Sequence, residues 1–199
     1  MGIDASQGMI DAARKYESEN LMFVLKDIND LNYSEKFDLV FSNATLHWVR
    51  DDKTLLKKVF RSLKFGGVLR FNFAADGNCI HFFKVIREAM AHPRYLKYFR
   101  KFEWPWFMPD VDTYNALVHQ SLFREASVWG ENADRFFPDT EAMIKWVDQP
   151  SIVPFLKHVE ENDKTAFRQF VVERMVKETL QGDGRCFETF RRMNVFAKK

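Results

Sequence analysis

The apolar positions at the start of the chain alternate between strand and helix spacing. Gly2-Ile3-Asp4-Ala5-Ser6 reads as the end of a strand running into a helix, with an acid at the strand tip. Ser6 predicts an N-cap for a helix that presents Met9, Ile10, Ala13 and Tyr16 along one face. Leu21 to Leu25 is a short apolar run ending in Lys26-Asp27, as expected of a buried strand. Phe37 to Phe41 is another, and it ends at Ser42-Asn43. Asp51 and Asp52 suit a helix N-terminus, and Leu55, Leu56, Val59, Phe60 and Leu63 keep helical spacing behind them. Gly66-Gly67 is expected to stop that helix, with Val68 to Phe73 resuming as a strand. Strand, helix, strand, helix, strand implies a parallel sheet with right-handed crossovers.

Beyond residue 78 the rhythm changes. A helix is expected from Cys79 to Met90, then a stretch dense in aromatic and basic residues from Arg94 to Trp106. Asp110 to Leu122 reads as a further helix, and Arg124 to Trp129 as a strand. Two helical segments follow, Asp139 to Val147 and Asp163 to Leu180, around breaks at Pro150 and Pro154. Thr189 to Phe196 closes the chain as a final strand. The two late strands flank a helical insertion, which predicts an antiparallel C-terminal edge on a mostly parallel Rossmann-like sheet. The expected division is a Rossmann-like α/β domain over residues 1–130 and 185–199, with a helical cap insertion over 131–184.

Composition narrows this only at a few points. With 199 residues and 46% hydrophobic content the chain can bury a sizeable core. Its net charge of +2 is too balanced to argue for nucleic acid. The two cysteines, Cys79 and Cys186, have neither disulfide-framework nor zinc spacing. No apolar run reaches the ~20 residues that span a bilayer, and the first residues are not a secretory signal, so a cytoplasmic protein is expected. Aromatics are the outlier, at 16% with 21 Phe and 5 Trp, and many fall in the second half where they could line an apolar pocket.

Ligands of open α/β sheets bind beyond the carboxyl ends of the strands, and three polar groups are expected there: Asp4, Asp27 and Ser42-Asn43. Asp4 can accept both hydroxyls of a ribose. Asp27 can accept from an adenine amino group while the backbone at Ile28 reads the ring. Either acid alone is commonly no more than a strand-end or helix-cap residue; three polar ends on successive strands are a better signal. A glycine-rich phosphate-type loop should lie about 20 residues before the first acid. None precedes Asp4, so the chain is expected to begin partway through a cofactor-binding domain.

The order of these motifs resembles class I S-adenosylmethionine-dependent methyltransferases. Gly2 to Ala13 looks like their second-strand segment, Lys26-Asp27-Ile28 like their adenine-contacting turn, and Phe37 to Val49 like their fourth-strand motif. Leu63-Lys64-Phe65-Gly66-Gly67 matches the turn before their fifth strand, with Phe65 where proline is usual. The form ending in His47-Trp48-Val49 most resembles the trans-aconitate and juvenile-hormone-acid methyltransferase-like groups, which methylate carboxylates. Trp146-Val147, with the prolines that follow, weakly echoes the cap helices of the first group. The resemblance implies a S-adenosylmethionine cofactor held by Asp4, Ala5, Met9, Asp27, Ile28, Asn43 and Ala44. It implies a small-molecule substrate, with a carboxylate the best guess, met by His47, Trp48 and Trp146, and no metal, nucleic acid or membrane. No general base is expected, because a carboxylate is already a nucleophile at neutral pH.

Other readings stay open at this level. His47 can equally be packed beside Trp48 with its ring satisfying a carbonyl, and both tryptophans can be core. The basic-aromatic stretch from Arg94 to Trp106 is compatible with single-stranded nucleic acid or an acidic membrane surface, or with a connector packed against the sheet. A degenerate methyltransferase-like fragment without activity is the third alternative.

Overall fold

The computed structural model describes residues 1–199, the side chain of Pro150 excepted. Along the chain run β1 (Gly2–Asp4), α1 (Gln7–Arg14), β2 (Phe23–Leu25), β3 (Phe37–Asn43), α2 (Asp52–Ser62), β4 (Leu63–Ala74), α3 (Ile80–Ala91), α4 (Val111–His119), β5 (Glu125–Asn132), β6 (Arg135–Phe137), α5 (Thr140–Trp146), α6 (Val153–Leu156), α7 (Glu161–Thr179), β7 (Cys186–Glu188) and β8 (Arg191–Lys198). The chain divides into two compact units, one of residues 1–73, 111–129 and 194–199, the other of residues 74–110 and 130–193.

In the first unit the expected caps form. The Ser6 hydroxyl accepts the Met9 N–H at 3.4 Å, and the Asp51 carboxylate accepts the Thr54 N–H at 2.9 Å. β1 and β2 pair in parallel, with Asp4 opposite Leu25, as a sheet of their own. β3, β4, β8 and β5 make a second sheet in that order. β3 runs parallel to β4, with Phe41 opposite Arg70 and Asn43 opposite Asn72. β8 runs antiparallel to β4: Lys199 donates to the Gly67 carbonyl at one end, and Ala75 donates to the Arg191 carbonyl at the other. The architecture is thus the mixed α/β, Rossmann-like one expected, with its antiparallel strands at the C-terminal side.

One face of the second sheet is a core. Leu69, Phe71 and Phe73 of β4 and Val195 of β8 are fully buried, as are Leu55, Leu56 and Val59 of α2 and Tyr114 and Val118 of α4. Phe73 and Tyr114 meet edge to face at 5.1 Å. The alternate positions, Arg70 and Asn72 with Asn194, form a hydrogen-bonded polar row on the other face, where Arg70 also lies over the Trp129 ring. Period-2 alternation therefore sorts one strand into a dry face and a wet one.

The helix before β4 ends earlier than its apolar spacing suggests. α2 stops at Ser62, and Gly66-Gly67 lies inside β4 rather than at the helix end. Phe37 faces Leu63 while Leu39 faces Val68, so β4 carries extra residues in an irregular stretch. Gly66 takes a positive φ of 76°, and a Cβ on Gly67 would sit 2.9 Å from the Lys64 carbonyl oxygen. Both glycines serve a bulge rather than a cap.

The second unit is built on α3 against α7. Phe82, Val85, Ile86 and Ala89 of α3 and Phe167, Val171 and Met175 of α7 are buried together. β6 and β7 pair antiparallel, Arg135 opposite Glu188, which the expectation of an all-helical insertion did not include. Glu188 is fully buried, and its carboxylate accepts the backbone N–H groups of His81, Phe82 and Thr189. It ties β7 to the first turn of α3, where those donors have no partner within the helix.

Asp52 is the most perturbed acid of the first unit. It starts α2, is almost fully buried, and accepts the Tyr114 hydroxyl at 3.5 Å. Desolvation pushes its pKa from 3.8 up to about 7, against the lowering effect of that hydrogen bond. A carboxyl raised by folding binds more protons in the native state than in the unfolded chain. Its contribution is therefore complete below pH 3.8 and is lost as the pH rises through about 7. Urea unfolding should show stability falling between about pH 4 and pH 7, and Asp52→Asn should flatten that decline. An equally steep decline in the variant would assign it to other groups.

Candidate cofactor and substrate site

The carboxyl ends of β1 and β2 lie side by side, because the strands are parallel and in register to their last residues. Asp4 closes β1, and its Oδ1 accepts the Ser6 N–H at 2.7 Å. Asp27 follows β2 and caps a short 3-10 turn, Ile28–Asp30, its Oδ1 accepting the Asn29 N–H at 2.7 Å. Each carboxylate is thus oriented through one oxygen. The second oxygen of each takes no hydrogen bond from the described residues, and so can accept one from a ligand.

An open cleft of about 500 Å³ is lined by Ala5, Val24, Leu25, Lys26, Asp27, Asp30 and Tyr33, so that Asp27 faces it while Asp4 adjoins it only through its neighbour Ala5. Lys26 donates to the Asn32 side chain at 2.8 Å, and the Lys26 and Lys36 ammonium groups lie 5.0 and 4.9 Å from the centre of the Tyr33 ring. Of these, Ala5 and Asp27 are foreseen as site residues. Asp30, Lys26 and Tyr33 are not: nothing in their spacing distinguishes them from solvent-facing loop residues, and only the turn after β2 folds them round the cleft. Met9 is exposed on α1, one residue before the buried Ile10 that anchors the helix.

The end of β3 supplies the other expected positions. Asn43 is its last residue and is exposed, with Ala44 following, half-buried. A 3-10 turn over Leu46–Trp48 comes next, held down by the buried Leu46 and Val49. His47 is half-buried, its ring 5.8 Å from that of Trp48, which is 42% exposed. Trp48 is therefore a surface ring beside the histidine, and not core.

Trp146 belongs to the second unit and packs there. Its ring lies 5.5 Å from Phe137, 5.7 Å from Phe190 and 6.0 Å from Phe82. The aromatic stretch before α4 behaves alike. Phe102, Trp104 and Trp106 surround Phe155 at 5.1 to 5.8 Å. Among its cations, Arg94 bonds Asp163 at 2.7 Å. The Tyr98 hydroxyl, and after it that guanidinium, hold the Asp163 carboxyl below its ordinary range. The rings that composition suggested as pocket lining are, in this unit, largely packed on one another.

The strand ends thus present two oriented carboxylate acceptors, an apolar wall and an adjacent cation. Comparison with known proteins makes this specific. The family described as "Methyltransferase domain" matches residues 1–71. Malonyl-[acyl-carrier protein] O-methyltransferase 1 of Ilyobacter polytropus is 35% identical over 104 residues, covering 50% of this chain and 37% of that protein. The trans-aconitate 2-methyltransferase of Rhizobium etli is 26% identical over 213 residues, covering all of this chain and 77% of that one. Among solved structures, loganic acid methyltransferase with SAH superposes with a TM-score of 0.70 at 10% identity, covering 99% of this chain and 73% of that one, a likeness of fold alone. Residues 1–71 thus match a methyltransferase family, and the chain as a whole is similar to S-adenosylmethionine-dependent methyltransferases, a likeness that indicates S-adenosylmethionine as the cofactor. Among the described residues no helix is long and apolar enough to cross a membrane, and no cluster of His, Cys, Asp or Glu is grouped to hold a metal ion.

Because Trp146 is wedged among three phenylalanines, Trp146→Ala should cost about 3 kcal/mol of stability in denaturant unfolding. A loss below about 1 kcal/mol would show that the ring is not a packing element.

Proposed function

We propose that the chain binds S-adenosylmethionine along the ends of β1, β2 and β3 and methylates a small carboxylate. The observation that carries the reading is the pair of half-satisfied carboxylates at the ends of adjacent parallel strands, of which Asp27 lines the cleft of about 500 Å³. In it Asp4 holds the ribose hydroxyls, with Ala5 and Met9 alongside. Asp27 accepts from the adenine amino group, and the backbone at Ile28 meets the ring edge. Asn43 and Ala44 form the wall nearest the reacting centre. The cofactor, when bound, supplies a methyl group on a sulfonium, an electrophile that a carboxylate oxygen attacks directly.

The chain's own part is positional. A carboxylate is ionised throughout the neutral range, so no residue has to remove a proton. His47 is assigned as a donor that orients the substrate, with Trp48 shielding it from water; Trp146, packed as it is, contributes by fixing the shape of its own region. Residues 1–130 and 185–199 are assigned to the cofactor-binding domain and 131–184 to a helical cap insertion. The named activities of two relatives, on trans-aconitate and on malonyl-[acyl-carrier protein], support a carboxylate acceptor.

Calorimetric titration with S-adenosylmethionine tests the cofactor site. Asp4→Ala should weaken binding by at least ~1 kcal/mol, roughly fivefold, with the fold intact. An unchanged affinity removes Asp4 from the site, and no binding by the folded wild-type chain removes the activity from this chain. For the acceptor, turnover with a panel of small di- and tricarboxylates should be flat between about pH 6 and pH 8. A rate rising with the deprotonation of an amine or phenol acceptor would overturn the carboxylate assignment.

A further inference from the structure

In the second unit, Arg192 is the half-buried cation to which the chain supplies no counter-charge. Lys164, Arg168, Arg174 and Arg191 are the other half-buried lysines and arginines there, and each has a carboxylate: Glu161, Asp148, Glu88 and Asp134 in that order. Arg192 makes no hydrogen bond and no ion pair among the described residues. Two acids held beside this stretch of chain are taken by other donors. Asp134 accepts the Phe190 N–H as well as the Arg191 guanidinium. Glu188 accepts three backbone N–H groups and meets His81 Nδ1 at 3.0 Å. What Arg192 does have is an aromatic support. Its guanidinium lies 5.8 Å from the centre of the Phe190 ring, which rests in turn on Trp146 at 5.7 Å. Its field reaches the Cys79 thiol, whose pKa burial and then Glu188 push up and Arg192 pulls down.

A guanidinium drawn part-way out of water without a carboxylate loses hydration and gains no partner in the protein. Placed over a ring, it keeps its edge free, and that edge is a planar fork of donors that matches a carboxylate. The ligand it suits is a carboxylate joined to an apolar body that can meet Phe190. This is not the carboxylate that reacts. A bidentate guanidinium engages both oxygens and draws off the electron density with which one of them would attack the sulfonium. We propose that Arg192 anchors a second carboxylate of the acceptor, so that the substrate is a dicarboxylate or larger polycarboxylate, methylated at the end that Arg192 does not hold. At that end a carboxylate oxygen forms the new C–O bond, the C–S bond of the sulfonium breaks, its electron pair stays on sulfur, and no proton moves. The proposal rests on the methyltransferase reading above and makes Arg192 a positioning residue within it.

Turnover of the full chain with S-adenosylmethionine, followed as release of S-adenosylhomocysteine, tests it. Succinate, glutarate, adipate and trans-aconitate are each compared with the ester that retains a single carboxylate. For the polyacids that are methylated, kcat/KM should exceed that of the matching ester by about tenfold or more. Arg192→Gln should remove this preference, raising KM about tenfold with little change in kcat, and Arg192→Lys, which keeps the charge without the fork, should fall between. Neither variant removes a hydrogen bond, so the fold should persist, as circular dichroism would confirm. A preference that survives in Arg192→Gln, or esters turned over as fast as their polyacids, overturns the proposal and leaves the carboxylate reading standing. A wild-type chain that methylates no carboxylate overturns both. The second readout is phenylglyoxal modification in the presence of S-adenosylhomocysteine, mapped by mass spectrometry. The polyacids that are methylated should slow modification of Arg192 and leave that of Arg191, paired with Asp134, unchanged. Equal protection of the two, or none, overturns the proposal.

Discussion

The first unit depends on the alternation along β4. That strand is twelve residues long, and every second side chain from Leu69 to Phe73 is dry against α2 and α4. Because the period is two, the intervening Arg70 and Asn72 are forced onto the other face. Among its hydrogen-bonded neighbours β8 follows the same division, with Asn194 on the polar side and Val195 on the dry one, whereas β3 sets the apolar Leu39 and Phe41 on the side of Arg70. A one-residue slip would bury Arg70 and expose Phe71, a cost that is a sizeable fraction of the roughly 5–15 kcal/mol by which domains are stable. Register, and with it the place where β3 ends, follows from this single constraint.

The consequence for chemistry is positional. Fixing β3 against β4 fixes Asn43 and Ala44 at the strand end, and fixing β1 against β2 brings Asp4 and Asp27 to a common edge. The carboxylates are then aimed by the first N–H groups of the turns they precede, so the local hydrogen bonds that cap the backbone also orient these two side chains. In the second unit a buried carboxylate does comparable work: Glu188 gathers the free N–H groups at the start of α3 and holds β7 there. The aromatic rings close round that helix. Their contacts are mutual, which makes this unit a core built from residues that composition alone could equally have assigned to a pocket.

Much of the fold was legible because local rules and tertiary structure agreed. Ser6, Asp51 and Asp139 announced helix starts, and each accepts an N–H three residues on. The failures have physical causes. Gly66-Gly67 looked like a helix stop because glycine serves caps and bulges equally well; the pairing of Leu63 with Phe37, a contact 26 residues distant, decided for the bulge. β6 and β7 were missed because each is three residues long and acquires strand geometry only from the other. Trp48 and Trp146 carry the same side chain, yet one is a surface ring and the other is half-buried and packed against a core.

By itself the amino-acid sequence determined the order of strands and helices, the acids at the strand ends and the methyltransferase resemblance they carry, since all of these rest on periodicity, capping and spacing within a few residues. The tertiary structure alone decided which oxygen of each acid is engaged by the backbone, which loop residues wall the cleft and which aromatics are core. Those properties arise from what packs beside a residue, and the partners come from distant parts of the chain.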